Sequence, residues 1–93
     1  MIKLFKIEGD SLYPFLKDGQ RVLCIKAFNF LKLNLNDFIV FEKQGYGLMI
    51  KQIVSIEDKG FFVKGTDSHS IDSRDFGLLL EDEIEYKVIM KLF

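Results

Sequence analysis

At 93 residues the chain is long enough for one domain and too short for two. With 48% hydrophobic and 29% charged residues it is an ordinary globular mixture, and a formal net charge of −1 gives neither a footprint for nucleic acid nor a polybasic cluster for a lipid surface. One cysteine, Cys24, excludes an internal disulfide, and one histidine, His69, has no cysteine partner at zinc-ligand spacing.

A lone cysteine fits a reducing, cytoplasmic setting. Its surroundings, Val22-Leu23-Cys24-Ile25, predict a buried core thiol rather than a reactive one. No apolar run approaches the roughly 20 residues needed to span a bilayer. The opening Met1-Ile2-Lys3-Leu4-Phe5-Lys6 is too short in apolar residues for a secretion signal, so no membrane segment is expected.

Along the chain, short apolar or alternating runs punctuated by Gly and Asp read as β. Strands are predicted over residues 2–7, 21–26, 38–42, 48–57, 61–64 and 83–92. After the first strand, Asp10 and Ser11 precede Tyr13-Pro14-Phe15-Leu16, which predicts one short helical turn. Residues 27–36 (AFNFLKLNLN) are ambiguous and read as an excursion between strands. Gln44-Gly45-Tyr46-Gly47 and Asp58-Lys59-Gly60 read as hairpin turns. Residues 65–77 form a polar loop rich in Asp and Ser. The expected architecture is one all-β domain over residues 1–93. Phe28, Phe30, Phe61 and Phe62 are expected in its core rather than on a partner surface.

Three segments far apart in sequence carry possible chemistry. In Gly9-Asp10-Ser11-Leu12-Tyr13-Pro14 a serine follows a strand at the mouth of a turn, where backbone amides can converge on an oxyanion and Gly9 allows close approach of another chain. The competing reading is a plain helix N-cap by Asp10 or Ser11. Lys51, inside Leu48-Met49-Ile50-Lys51-Gln52-Ile53-Val54, shares its face with Met49 and Ile53. A lysine forced into an apolar setting loses its proton more readily and can activate a serine without histidine; a lysine on a solvated face cannot. In the polar loop, Asp72 and Arg74 can pair to brace the loop while Ser70 orients a nearby amine. A calcium loop is the rival, but the oxygens lack the regular spacing and terminal Glu of an EF-hand.

Together these segments resemble the boxes of type I signal peptidases and their relatives. Gly9-Asp10-Ser11-Leu12-Tyr13-Pro14-Phe15-Leu16 resembles the G-x-S-M-x-P-x-L nucleophile box, and residues 17–23 the G-D-x-V-L segment after it. Asn36-Asp37-Phe38-Ile39-Val40-Phe41 resembles G-D-I-V-x-F, and Ile50-Lys51-Gln52-Ile53-Val54 the lysine box I-K-R-V-V. Ser70-Ile71-Asp72-Ser73-Arg74-Asp75-Phe76-Gly77 resembles the closing S-x-D-S-R-x-F-G, which separates signal-peptidase relatives from LexA-type self-cleaving repressors.

The resemblance implies a serine endopeptidase without cofactor or metal, in which Ser11 attacks and a neutral Lys51 takes its proton. Ser70 would hold the lysine amine, Asp72 and Arg74 would brace the loop, and the Ser11 amide would serve the oxyanion. The strands ending at Gly9 and entering Lys51 would hold a protein or peptide substrate as an extended strand. Ile7, Met49 and Ile50 would wall a small P1 pocket. The implied substrate is a leader or propeptide of a dedicated partner, as in the compact relatives that mature nickel superoxide dismutase. Alternatives are a membrane-recruited signal peptidase, a peptide-binding module that cleaves little, and a purely structural β-domain. The chain departs from the boxes at Leu12 for Met, Gln20 for Asp, Asn36 for Gly and Gln52 for Arg. Gly9 stands where an oxyanion-assisting Ser or Thr is common, and Thr66-Asp67 replace Asp-Asn.

Overall fold

The computed structural model describes residues 1–27 and 32–93, which fold into six antiparallel strands of one sheet. The strands are β1 (Ile2–Lys6), β2 (Arg21–Lys26), β3 (Phe38–Lys43), β4 (Gly47–Glu57), β5 (Gly60–Lys64) and β6 (Ile84–Lys91), in spatial order β1-β2-β6-β3-β4-β5. All six strands expected from alternation are present, within a residue or two at each end. The anticipated excursion after β2 falls partly on residues 28–31, with Phe28 and Phe30, which lie outside the described residues.

β3 explains why its sequence is a continuous apolar run rather than an alternating one. Ile39 and Phe41 enter a core shared with Ile53, Phe61, Val63, Leu79 and Ile84. Val40, between them, enters a second core with Ile7, Leu12, Leu16, Val22 and Cys24. Successive side chains leave opposite faces of a strand, so a strand covered on both sides must be apolar throughout. Of the four phenylalanines expected inside, Phe61 belongs to the first core and Phe62 is half-buried. Cys24 is fully buried and unpaired, and desolvation pushes its thiol up to about 11.

Residues 11–15 run as consecutive turns, with Leu16 N–H donating to Leu12 C=O at 3.0 Å in a single helix-like closure. The Tyr13–Pro14 peptide is cis. The α-helix among the described residues, α1 (Ser73–Phe76), instead lies inside the segment read as polar loop. Its signal is Asp72-x-x-Asp75, a reciprocal capping box: Asp72 accepts at the helix start while Asp75 Oδ2 accepts the Asp72 N–H at 3.0 Å. No helix among the described residues is long and apolar enough to cross a membrane.

Pairing along β4 changes partner midway. Residues 47–52 pair with β3, whereas β5 pairs only with residues 52–57, across a bulge between Ile53 and Ser55. The 47–51 half therefore has β3 on one side and, among the described residues, no strand on the other. Among the described residues β1 pairs with β2 alone, so it too presents a free edge. These two open edges flank the same groove.

Candidate active site

The groove holds about 520 Å³ and is lined by β1 and its continuation (Phe5, Ile7, Glu8), by β4 (Met49, Ile50, Lys51) and by Ser11 and Ser70. Three side chains, Ser11, Lys51 and Ser70, separated by 40 and 19 residues, thus meet at one place. Ile7, Met49 and Ile50, expected as walls, line it; Gly9, Asp72 and Arg74 do not.

Gly65 measures how tightly the reactive groups are gathered. A Cβ built there would lie 2.5 Å from Ser11 O, 2.7 Å from Ser70 Oγ and 3.3 Å from Lys51 Nζ. The lysine amine, the Ser70 hydroxyl and the Ser11 backbone carbonyl therefore surround one point. Only a residue without a side chain leaves that point open.

Lys51 is 5% exposed and stands between Met49 and Ile53 on the strand face that packs toward the first core. The solvated-face reading of this lysine fails on that burial. Desolvation holds its amine below a lysine's ordinary pKa; Asp72, Asp67 and Asp75 pull it back up in part, and Arg74 pushes it further down. Among the described residues Lys51 Nζ enters no ion pair. Ser70 Oγ donates to Asp67 C=O at 2.8 Å, which leaves its lone pairs to accept from an amine.

Ser11 does not act as an N-cap. The turn after it is closed by backbone bonds, Tyr13 N–H to Asp10 C=O at 3.1 Å and Phe15 N–H to Leu12 C=O at 2.8 Å. Among the described residues neither its hydroxyl nor its N–H has a hydrogen-bond partner, and Ser11 lines the groove. Gly9 precedes this turn with φ +86°, a left-handed backbone, and its absent side chain faces open space. Conformation, not close approach of another chain, is what position 9 requires. Its N–H donates to Asp18 Oδ1 at 2.8 Å, which removes it as an oxyanion donor.

Behind the groove the Asp72 carboxylate is fully buried and saturated with donors. Arg74 Nε and Nη2 approach Oδ1 and Oδ2 at 2.8 and 2.7 Å, the Arg74 N–H reaches Oδ1 at 3.0 Å, and the Gly65 N–H reaches Oδ2 at 3.3 Å. Burial acts to raise this carboxyl; the Arg74 side chain and the two backbone donors outweigh it and hold it below the usual carboxylate range. The Asp72 hydrogen bond in turn raises Arg74. Ser73 Oγ accepts the Val63 N–H at 2.9 Å, which docks α1 on β5. The expected brace thus exists as an ion pair, and its carboxylate is engaged by protein donors rather than free for calcium.

Gly65, in the sequence only the start of the polar loop, and Thr66, there only a departure from the boxes, also contribute to the site. Both touch Ser11 across more than fifty residues of chain, a separation no local pattern encodes. No protein-family model matches the chain, and no curated protein matches it.

Proposed function

We propose that this chain is a serine peptidase that uses a Ser/Lys dyad, with Ser11 as nucleophile and Lys51 as general base. More particularly, we read it as an endopeptidase that trims a leader or propeptide from a dedicated protein or peptide. One observation carries the reading: a buried lysine amine, depressed in pKa by desolvation, lines one groove with Ser11 and Ser70, and the Ser11 backbone, the Ser70 hydroxyl and that amine converge on Gly65.

In this mechanism an extended peptide adds to the free edges of β1 and β4, and neutral Lys51 takes the Ser11 proton as Oγ attacks the scissile carbonyl. The free Ser11 N–H faces the developing oxyanion. Lys51 then returns its proton to the leaving amine, and water, deprotonated by Lys51, releases the acyl group. Ser70 orients the amine by accepting from it. A cytoplasmic, reducing setting suits a chain whose one thiol is buried and unpaired.

The test is cleavage of a peptide library, read by mass spectrometry, with wild type, Ser11→Ala and Lys51→Ala. Each variant is expected to lose at least about a thousandfold in kcat/KM, because members of such a unit fail together. Wild-type activity should rise with pH through the Lys51 pKa, below the ordinary value near 10.4. Cleavage by either variant at the wild-type rate would remove the dyad.

One observation favours a second reading, a peptide-binding module with little turnover. Residue 9 contributes no hydroxyl and its amide is engaged by Asp18, so the Ser11 N–H lacks that second oxyanion donor. This reading expects saturable peptide binding without new termini.

A further inference from the structure

The turn that carries Ser11 is closed by its own backbone bonds, but those bonds do not fix it relative to Lys51. A direct hydrogen-bonded link to the loop beside Lys51 runs through Thr66. The Thr66 N–H donates to Ser11 C=O at 2.6 Å. Its hydroxyl donates to Tyr13 C=O at 2.6 Å, with Ser11 C=O 3.1 Å from the same oxygen. The two acceptors bracket the turn, one on the nucleophile itself and one two residues on.

The other end of this connection is also anchored. Gly65, the preceding residue, lies against Lys51 Nζ and gives its N–H to the buried Asp72 carboxylate. Thr66 therefore joins a braced loop to a turn whose Leu12 and Leu16 are anchored in the second core, and it does so at the Ser11 end. Its β-branch restricts χ1, which aims the hydroxyl before substrate arrives. Thr66 is exposed, so its hydroxyl contributes little to packing.

We propose that Thr66 is a positioning residue whose side chain sets the placement of the Ser11 hydroxyl against the Lys51 amine. The inference rests on the dyad reading above. Thr66 acts through the turn and touches none of the reacting groups. Small misplacements of a reacting atom cost rate steeply, so the hydroxyl should appear in kcat more than in KM.

Thr66→Val keeps the backbone donor and the branched shape but removes the hydroxyl; Thr66→Ser restores it. Two measurements are made on each full-length protein: amide hydrogen exchange at Phe15 and Leu16 by NMR, and kcat and KM on the best library peptide across pH. Thr66→Val is expected to speed exchange in the turn about tenfold. It should lower kcat roughly ten- to a hundredfold with KM within about twofold. The pH midpoint set by Lys51 should not move, and Thr66→Ser should recover most of the loss. Wild-type exchange together with wild-type kcat in Thr66→Val would overturn the proposal, as would a kcat loss that Thr66→Ser fails to restore. Absence of cleavage by the wild type sinks the dyad reading instead, and the exchange comparison still decides whether the hydroxyl holds the turn.

Discussion

A methyl group added at Gly65 meets the Ser11 carbonyl oxygen first, at 2.5 Å, and that atom cannot retreat without moving the nucleophile turn. Gly65→Ala is therefore expected to lose about 1–3 kcal/mol of stability, as overpacking of tight sites does, measured by urea denaturation. If the chain is the proposed peptidase, its activity should fall even under conditions where the variant is fully folded; full activity in a folded Gly65→Ala would mean that the crowding at Gly65 does not set the site. At the same scale the departures from the signal-peptidase boxes acquire physical reasons. Asn36 stands where the boxes have Gly and adopts φ +73°, the left-handed region that Asn tolerates better than most residues. Gln20 accepts the Lys17 N–H at 3.0 Å and reaches Leu92 C=O at 3.3 Å, tying its turn to the last strand. Gln52 donates to Asn36 C=O at 3.3 Å. Ser11, Lys51 and Ser70 were legible in sequence because each sits in a patterned box. Gly65 and Thr66 were not, because what distinguishes them is contact with Ser11 rather than local pattern.

Among the elements, the strands were readable because their alternation survives wherever one face is solvated, and β3 was readable because both its faces are covered. The helix α1 was hidden by composition. Its four residues, SRDF, carry no helical periodicity, and only the Asp72–Asp75 capping box marks it. Asp72 joins that cap to the Gly65 loop, so it acts on stability and site together. Its folded pKa is depressed, so its contribution is complete above the unfolded carboxyl value near 3.9 and is lost as pH falls through the lower folded value. Asp72→Asn should cost about 1–3 kcal/mol near neutral pH, since it weakens a buried acceptor with several donors. The gap between wild type and variant should be flat around pH 7 and narrow below about pH 4. A gap that widened on acidification would mean the carboxylate is not stabilising.

Over the whole molecule, a Cα radius of gyration of 12.2 Å is what close packing gives a chain of this length. A domain so small buries only about two-thirds of its unfolded surface, which leaves little reserve stability. Burying Lys51 draws on that reserve. Its folded pKa lies below its unfolded one, so the unfolded chain binds the proton more tightly between those two values and stability rises with pH across them. Below the folded pKa the full penalty is present. Lys51→Met should therefore be more stable than wild type at neutral pH, by at least about 1 kcal/mol or roughly 4–8 °C in Tm for a domain this size. The advantage should shrink as pH approaches about 10.4. A less stable Lys51→Met would show that the amine is better accommodated than its burial implies.

The unpaired half of β4 spans five residues, and only alternate residues of a strand turn their N–H and C=O groups to a given side. A visiting peptide can thus make only a short ladder on this edge. On the proposed peptidase reading, scission within that stretch would divide the ladder between two fragments, each with fewer rungs than the intact chain. Cutting would then loosen the grip on both halves, so that release of products follows from where the second strand stops.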